Sequence, residues 1–143
     1  MKKTSPKKEV KFYLAEDIRL ELNNRPIIIG LYPRDRIVIT LPTDIPALSK
    51  EAAVMIPSVS ILASLVGFEG SFVVNISLYA PDTTVLIENS ELGHIVDEGI
   101  NSAHKEANLI AKFVPFKVTQ LGEYKLVVSI KETNLEYKFR IEV

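Results

Sequence analysis

Polar and apolar residues alternate along most of this chain, most strictly over its last nine residues. There Leu135, Tyr137, Phe139, Ile141 and Val143 are apolar, while Glu136, Lys138, Arg140 and Glu142 are charged. Successive side chains of a β-strand point to opposite faces, so the segment reads as a strand with one dry and one wet side. Tyr124, Leu126, Val128 and Ile130 alternate with Lys125, Val127, Ser129 and Lys131 in the same way. Phe72, Val74, Ile76 and Leu78 mark the dry side of another strand.

The remaining runs follow suit. Val10 to Ala15 and Asp17 to Leu22 read as extended and can be continuous, and Asn23-Asn24 supplies the left-handed backbone of a tight hairpin. Ile27 to Tyr32 returns with Gly30 at a bulge, Pro33-Arg34-Asp35 turns, and Ile37 to Leu41 extends again. Pro42 to Glu51 holds two prolines and at most one helical turn, near Ser49. Val59 to Val66 and Thr84 to Glu88 are strands, and Leu109 to Val118 is extended but broken at Pro115. Asn89 to Lys105 is the one long stretch without strand character.

Eight to ten short strands with regular turns predict an all-β fold: a two-sheet antiparallel β-sandwich of immunoglobulin-like, Greek-key type. Its expected core includes Val59, Ile61, Phe72, Val74, Ile76, Leu126, Val128, Phe139 and Ile141. Gly122-Glu123-Tyr124 is similar to a tyrosine corner, whose hydroxyl ties back to nearby backbone, although Tyr124 could equally be plain core packing.

Length adds a boundary. At 143 residues the chain suits a single domain, residues 10–143 with a long loop at 89–105, behind a flexible basic tail of residues 1–9. The six residues Val10 to Ala15 are too short for a secretory core. No cysteine is present, which removes disulfides and thiolate chemistry and suits the reducing cytoplasm. Ala52 to Phe68 carries no charge, but Ser58, Ser60 and Ser64 share one parity and Val59, Ile61, Ala63 and Leu65 the other. Period two argues for a strand there, not a membrane span.

Several segments together carry a resemblance. Leu14 to Glu21 is an acidic, arginine-containing strand, and Arg25 to Tyr32 an apolar one ending Gly-Leu-Tyr. With Phe72 to Asp82, ending Tyr-Ala-Pro-Asp, with Ala107-Asn108-Leu109 and with Gly122-Glu123-Tyr124, they resemble an uncharacterised bacterial β-sandwich family. The likeness spans most of Phe12 to Val143 and fades across Pro42 to Met55 and Asn89 to Lys105. Ala15-Glu16 stands where that family commonly has Cys-Asp, and Asn23-Asn24-Arg25 replaces its usual Gly-Gly-Lys. The resemblance implies the sandwich and a bacterial source; no established activity comes with it.

Chemistry is sparse. The chain has no glycine-rich phosphate loop, nucleophile elbow or His-Glu-x-x-His motif. His94 and His104 sit in the long loop near Glu91, Asp97 and Glu98, but their ten-residue gap matches no usual metal-ligand spacing. Neither a metal nor another cofactor is expected, and the protein is not expected to be an enzyme. With a net charge of −1 and glutamates interspersed among the C-terminal lysines, nucleic acid is not an expected partner. There is no tryptophan to floor a sugar site, and most of the five tyrosines fall at positions that can face the core.

What remains is a non-enzymatic protein-interaction module presenting an edge strand or the 89–105 loop. The alternative is a sandwich that binds a sugar or small metabolite. Expected contact residues are Leu62 and Val66, on the outer parity of their strand, with Leu92, His94, Ile95, Asp97 and Glu98 of the loop. Val73 and Val127 also fall on outer parities, and the 47% apolar content exceeds what a lone sandwich needs. If these positions cluster, they invite a second chain across a two-fold axis. Otherwise the loop covers them and leaves a monomer.

Overall fold

The structure, a computed structural model, describes residues 8–22, 25–68, 70–95 and 106–143. Among the described residues there are eleven strands and no α-helix. A four-stranded sheet is built from β1 (Glu9–Leu20), β2 (Pro26–Leu31), β5 (Val59–Val66) and β8 (Glu106–Phe113), in the order β2-β1-β5-β8. The five-stranded sheet uses β3 (Arg36–Val38), β6 (Phe72–Tyr79), β7 (Val85–Ile95), β10 (Gly122–Ile130) and β11 (Thr133–Glu142), in the order β3-β11-β10-β6-β7. A small ribbon pairs β4 (Val54–Ile56) with β9 (Phe116–Val118).

The two sheets bury one another as period-two reading requires. Every residue of the expected core is buried, from Val59 and Ile61 of β5 to Phe139 and Ile141 of β11. Phe12 of β1 stacks on Tyr137 of β11 with ring centroids 4.9 Å apart, so an aromatic pair joins the sheets directly. The Tyr124 hydroxyl donates to the Gln120 carbonyl at 2.8 Å, the tyrosine-corner contact, and burial pushes the phenol's pKa up. Tyr32, Tyr124 and Tyr137 all pack into this core, which leaves no aromatic platform for a sugar on those residues. Ala52–Phe68 contains β4 and β5, and no helix among the described residues is long and apolar enough to cross a membrane.

Three expectations need correction. The sheets are not wholly antiparallel: β3 runs parallel to β11, because the chain reaches it from the other sheet through the short turn Pro33–Asp35 rather than a hairpin. The long loop starts later than residue 89. β7 continues to Ile95, with an irregular register against β6 and left-handed backbone at Asn89, and this hides its alternation. The remainder of that loop, residues 96–105, lies outside the described residues. Finally, Glu9 belongs to β1 and not to the tail, of which residues 1–7 also lie outside.

The turn Pro33–Asp35 places two consecutive non-glycine residues, Arg34 and Asp35, in left-handed backbone (φ 59° and 53°). That conformation is uncommon for L-residues and needs support. The Tyr137 hydroxyl supplies it, donating to Asp35 Oδ1 at 2.6 Å, while the Tyr32 amide donates to the Leu14 carbonyl at 2.8 Å. Burial, and then the hydrogen bond to Asp35, raise the Tyr137 phenol far above its ordinary pKa.

Candidate interaction surface

β2 has the sequence Pro-Ile-Ile-Ile-Gly-Leu, without a single charged side chain. Three β-branched residues in a row favour a strand. β2 pairs only with β1, so one edge is open among the described residues. Ile27, Ile29 and Leu31 are 41%, 42% and 56% exposed, while Ile28 packs toward Ala15, Ile18 and Leu62. Gly30 has a φ of 66°, and a Cβ there would come within 2.7 Å of the Glu16 side chain, so only glycine lets Glu16 cross the strand.

The hydrogen-bond phase of this hairpin fixes what the edge offers. The Glu21 amide donates to the Arg25 carbonyl at 2.9 Å. Hydrogen-bonded and non-bonded pairs alternate along an antiparallel ladder, so at this end of the hairpin the paired Arg19 and Ile27 turn their backbone groups toward one another. The next pair, Ile18 and Ile28, turns them outward. Pro26 fits the same phase, since its missing N–H falls on the outer edge. The phase switches at Gly30, beyond which the Tyr32 amide bonds to the Leu14 carbonyl.

Behind this edge lies the outer face of the four-stranded sheet. Tyr13, Leu62 and Ile110 stand side by side across β1, β5 and β8, and Leu62 is only 1% exposed. Ser60 and Ser64, on the same side of β5, are buried too. Ser64 Oγ donates to Glu106 Oε1 at 2.7 Å, whereas Ser60 Oγ has no hydrogen-bond partner among the described residues. A cleft of about 240 Å³ opens here between Glu9, Tyr13, Val66 and Glu106. Asp17 accepts hydrogen bonds from Arg19 (2.9 Å) and Lys112 (3.2 Å), which hold its carboxyl below the usual range and link β1 to β8.

The other edges are different objects. β3 has three residues, and β7 is irregular. β8 carries Glu106 and Lys112 and lies against β7, where a Cβ on Gly93 would come within 2.9 Å of Leu109 Cδ2. Short length, irregularity and charge each discourage strand addition. β2 joins six residues, no charge and three exposed aliphatics, whereas β4, also uncharged and at an edge, is only three residues long.

The expected contact residues that are described lie on two different sheets, Leu62 and Val66 in β5 and Leu92, His94 and Ile95 in β7. Leu62 is on the predicted side of β5 but closed over by its neighbours, and Val66 is half-buried at the far end of that strand. Val73 and Val127 belong to the other sheet, so the single outer patch expected from all four does not form. Leu92 is half-buried and packs against the main core from β7. His94 and Ile95 lie in β7 opposite Val73 and Phe72, and Asp97 and Glu98 lie outside the described residues. No group of three His, Cys, Asp or Glu residues among the described ones is placed to hold a metal ion. Sequence reading passed over Ile27, Ile29 and Leu31; the uncharged run Pro26–Leu31 was the available signal.

Two further hollows are lined by ordinary surface. One, of about 350 Å³, lies beside Phe68 and Phe72, whose rings sit under Lys8 and Lys131 at 5.6 and 5.8 Å. The other, of about 390 Å³, lies between Tyr79, Lys125 and Lys138. Among known proteins, no family model matches the chain and no curated protein gives a significant match.

Proposed function

We propose that this chain is a non-enzymatic protein-interaction module and that β2 is the edge it presents. The observation that carries the reading is β2 itself: an open edge without charge, with three aliphatic side chains roughly half in water. Such an edge is a template for another strand, whose backbone groups would meet those that Ile28 turns outward. The cluster of Tyr13, Leu62 and Ile110 on the outer side of the same sheet lies behind it. A cytoplasmic location belongs to the same reading and rests on the lack of cysteine.

The test is to replace Ile27 and Ile29 together by lysine. Two charges at an exposed edge should leave the melting temperature within a few degrees while abolishing cross-links between β2 and its partner in cells. Persistence of those cross-links would sink the reading. A sugar or metabolite that raises the melting midpoint of the wild-type chain, and that of the lysine variant equally, would instead support the ligand-binding alternative.

A further inference from the structure

We propose that the strand added to β2 is β2 of a second copy, paired antiparallel about Ile28 across a two-fold axis. This rests on the reading of β2 as the interaction edge and names its occupant. The strand is self-complementary in that one register. Ile28, whose amide and carbonyl face outward, lies opposite Ile28 of the second copy, and the two exchange a pair of hydrogen bonds.

One step away on either side, Ile27 lies opposite Ile29 of the other copy, and Ile29 opposite its Ile27. Side chains directly opposite on paired strands share a face and touch, so four half-exposed isoleucines cover one another. Two steps away, Pro26 meets Gly30. Pro26 has no amide, so the Gly30 carbonyl gains no donor from it, and the Glu16 side chain crosses at Gly30, so the regular pairing is confined to Ile27, Ile28 and Ile29.

Charge points the same way. Most edge strands resist self-pairing because a lysine or glutamate would be buried opposite its own copy. β2 has no such residue of its own, and the one carboxylate described across it, that of Glu16, lies at Gly30, two residues from the axis. The chain's net charge of −1 gives two copies little reason to repel. Because the axis passes through Ile28, the contact uses the same patch on both copies and closes at two chains, joining the four-stranded sheets into one eight-stranded sheet.

Light scattering on the full chain at micromolar concentration should give twice the 16.0 kDa chain mass. Ile27→Glu and Ile29→Lys should each halve that mass with an unchanged circular dichroism spectrum. Mixing those two variants should restore the doubled mass, because this register alone sets the introduced glutamate of one chain opposite the introduced lysine of the other. Val73→Lys, on the opposite sheet, should remain a dimer.

A wild-type monomer, a mixture that stays monomeric, or dissociation by Val73→Lys would each overturn the proposal. A monomer that still loses its β2 cross-links to another protein in the Ile27/Ile29 lysine variant removes only the second copy and leaves the interaction module standing. A monomer with no β2-dependent partner ends both.

Discussion

On the outer side of the five-stranded sheet, Lys125 lies directly opposite Lys138, and each turns to a diagonal glutamate, Lys125 to Glu136 at 3.8 Å and Lys138 to Glu123 at 3.9 Å. Lys125 also lies over the Tyr79 ring, 5.1 Å from its centroid. On the outer side of the four-stranded sheet, the central strand β5 buries Ser60, Leu62 and Ser64 almost completely. Both sheets line the same core, yet one meets water through a lattice of charges and the other through an apolar cluster flanked by charged side chains, ending at an open edge. The difference follows from what flanks each central strand. Lysines and glutamates on β10 and β11 keep their charged ends in water, whereas Tyr13 and Ile110 close over Leu62. The four-stranded sheet, with an apolar cluster on its outer side and an open edge at β2, is the one for which we propose a second chain.

The widest gap between the two faces should appear on adding a carboxylate to each. Leu62→Glu is expected to cost more than about 3 kcal/mol, since it buries an unpaired charge, and Val127→Glu less than about 1 kcal/mol. Urea unfolding reads both, and equal costs would erase the contrast. For this reason Leu62→Glu is a stability probe and is unsuited to testing association.

Next come the side chains common to both sheets. Truncating Ile76 or Val128 to alanine should cost about 1–4 kcal/mol, the range for deleting buried aliphatic groups. A loss under half a kcal/mol would mean that the layers do not press on one another as described.

A smaller effect is expected at the tie between the sheets. Tyr137→Phe removes the hydrogen bond to Asp35 but keeps the stack on Phe12, and should cost about 1 kcal/mol at neutral pH. Its pH dependence has a definite sign. The folded state raises the Tyr137 pKa, so the stabilisation is complete below the unfolded phenol value of about 10 and is lost as pH rises above it. Stability of the wild type should therefore fall on the alkaline side more steeply than that of Tyr137→Phe. Parallel curves between pH 9 and 11, roughly spanning that value, would remove Tyr137 as the cause.

The smallest change should come from the charged lattice. Lys125→Ala is expected to shift stability by no more than about 0.5 kcal/mol at moderate salt, as exposed ion pairs do. A larger, salt-dependent loss would show that the outer charges act as a network.

Much of the fold was legible along the chain because a strand writes its two faces as alternating residues. The runs Phe72–Leu78, Tyr124–Ile130 and Leu135–Val143 placed their own core residues, while Gly122-Glu123-Tyr124 left a corner and plain core packing equally open, a choice made by the hydroxyl's bond to Gln120. Irregular elements were less readable. β7 lost its alternation where Asn89 takes a left-handed backbone and the register slips. β4 and β3 are three residues each, too short for a period to show.

The candidate surface was less legible still. Parity correctly put Leu62 on the outer side of β5, but parity reports direction and not cover, and Tyr13 and Ile110 come from distant parts of the chain. It grouped Val73 and Val127 with Leu62 because outward is a local property, while the sheet a strand joins is a global one.

The sequence by itself determined that this protein is a β-sandwich, which residues fill it, and that β2 would be an uncharged strand. Only the tertiary structure decided that β2 stands at an edge. Each strand's pattern is fixed by its own residues, but whether its second set of backbone groups finds a neighbour depends on where every other strand has gone.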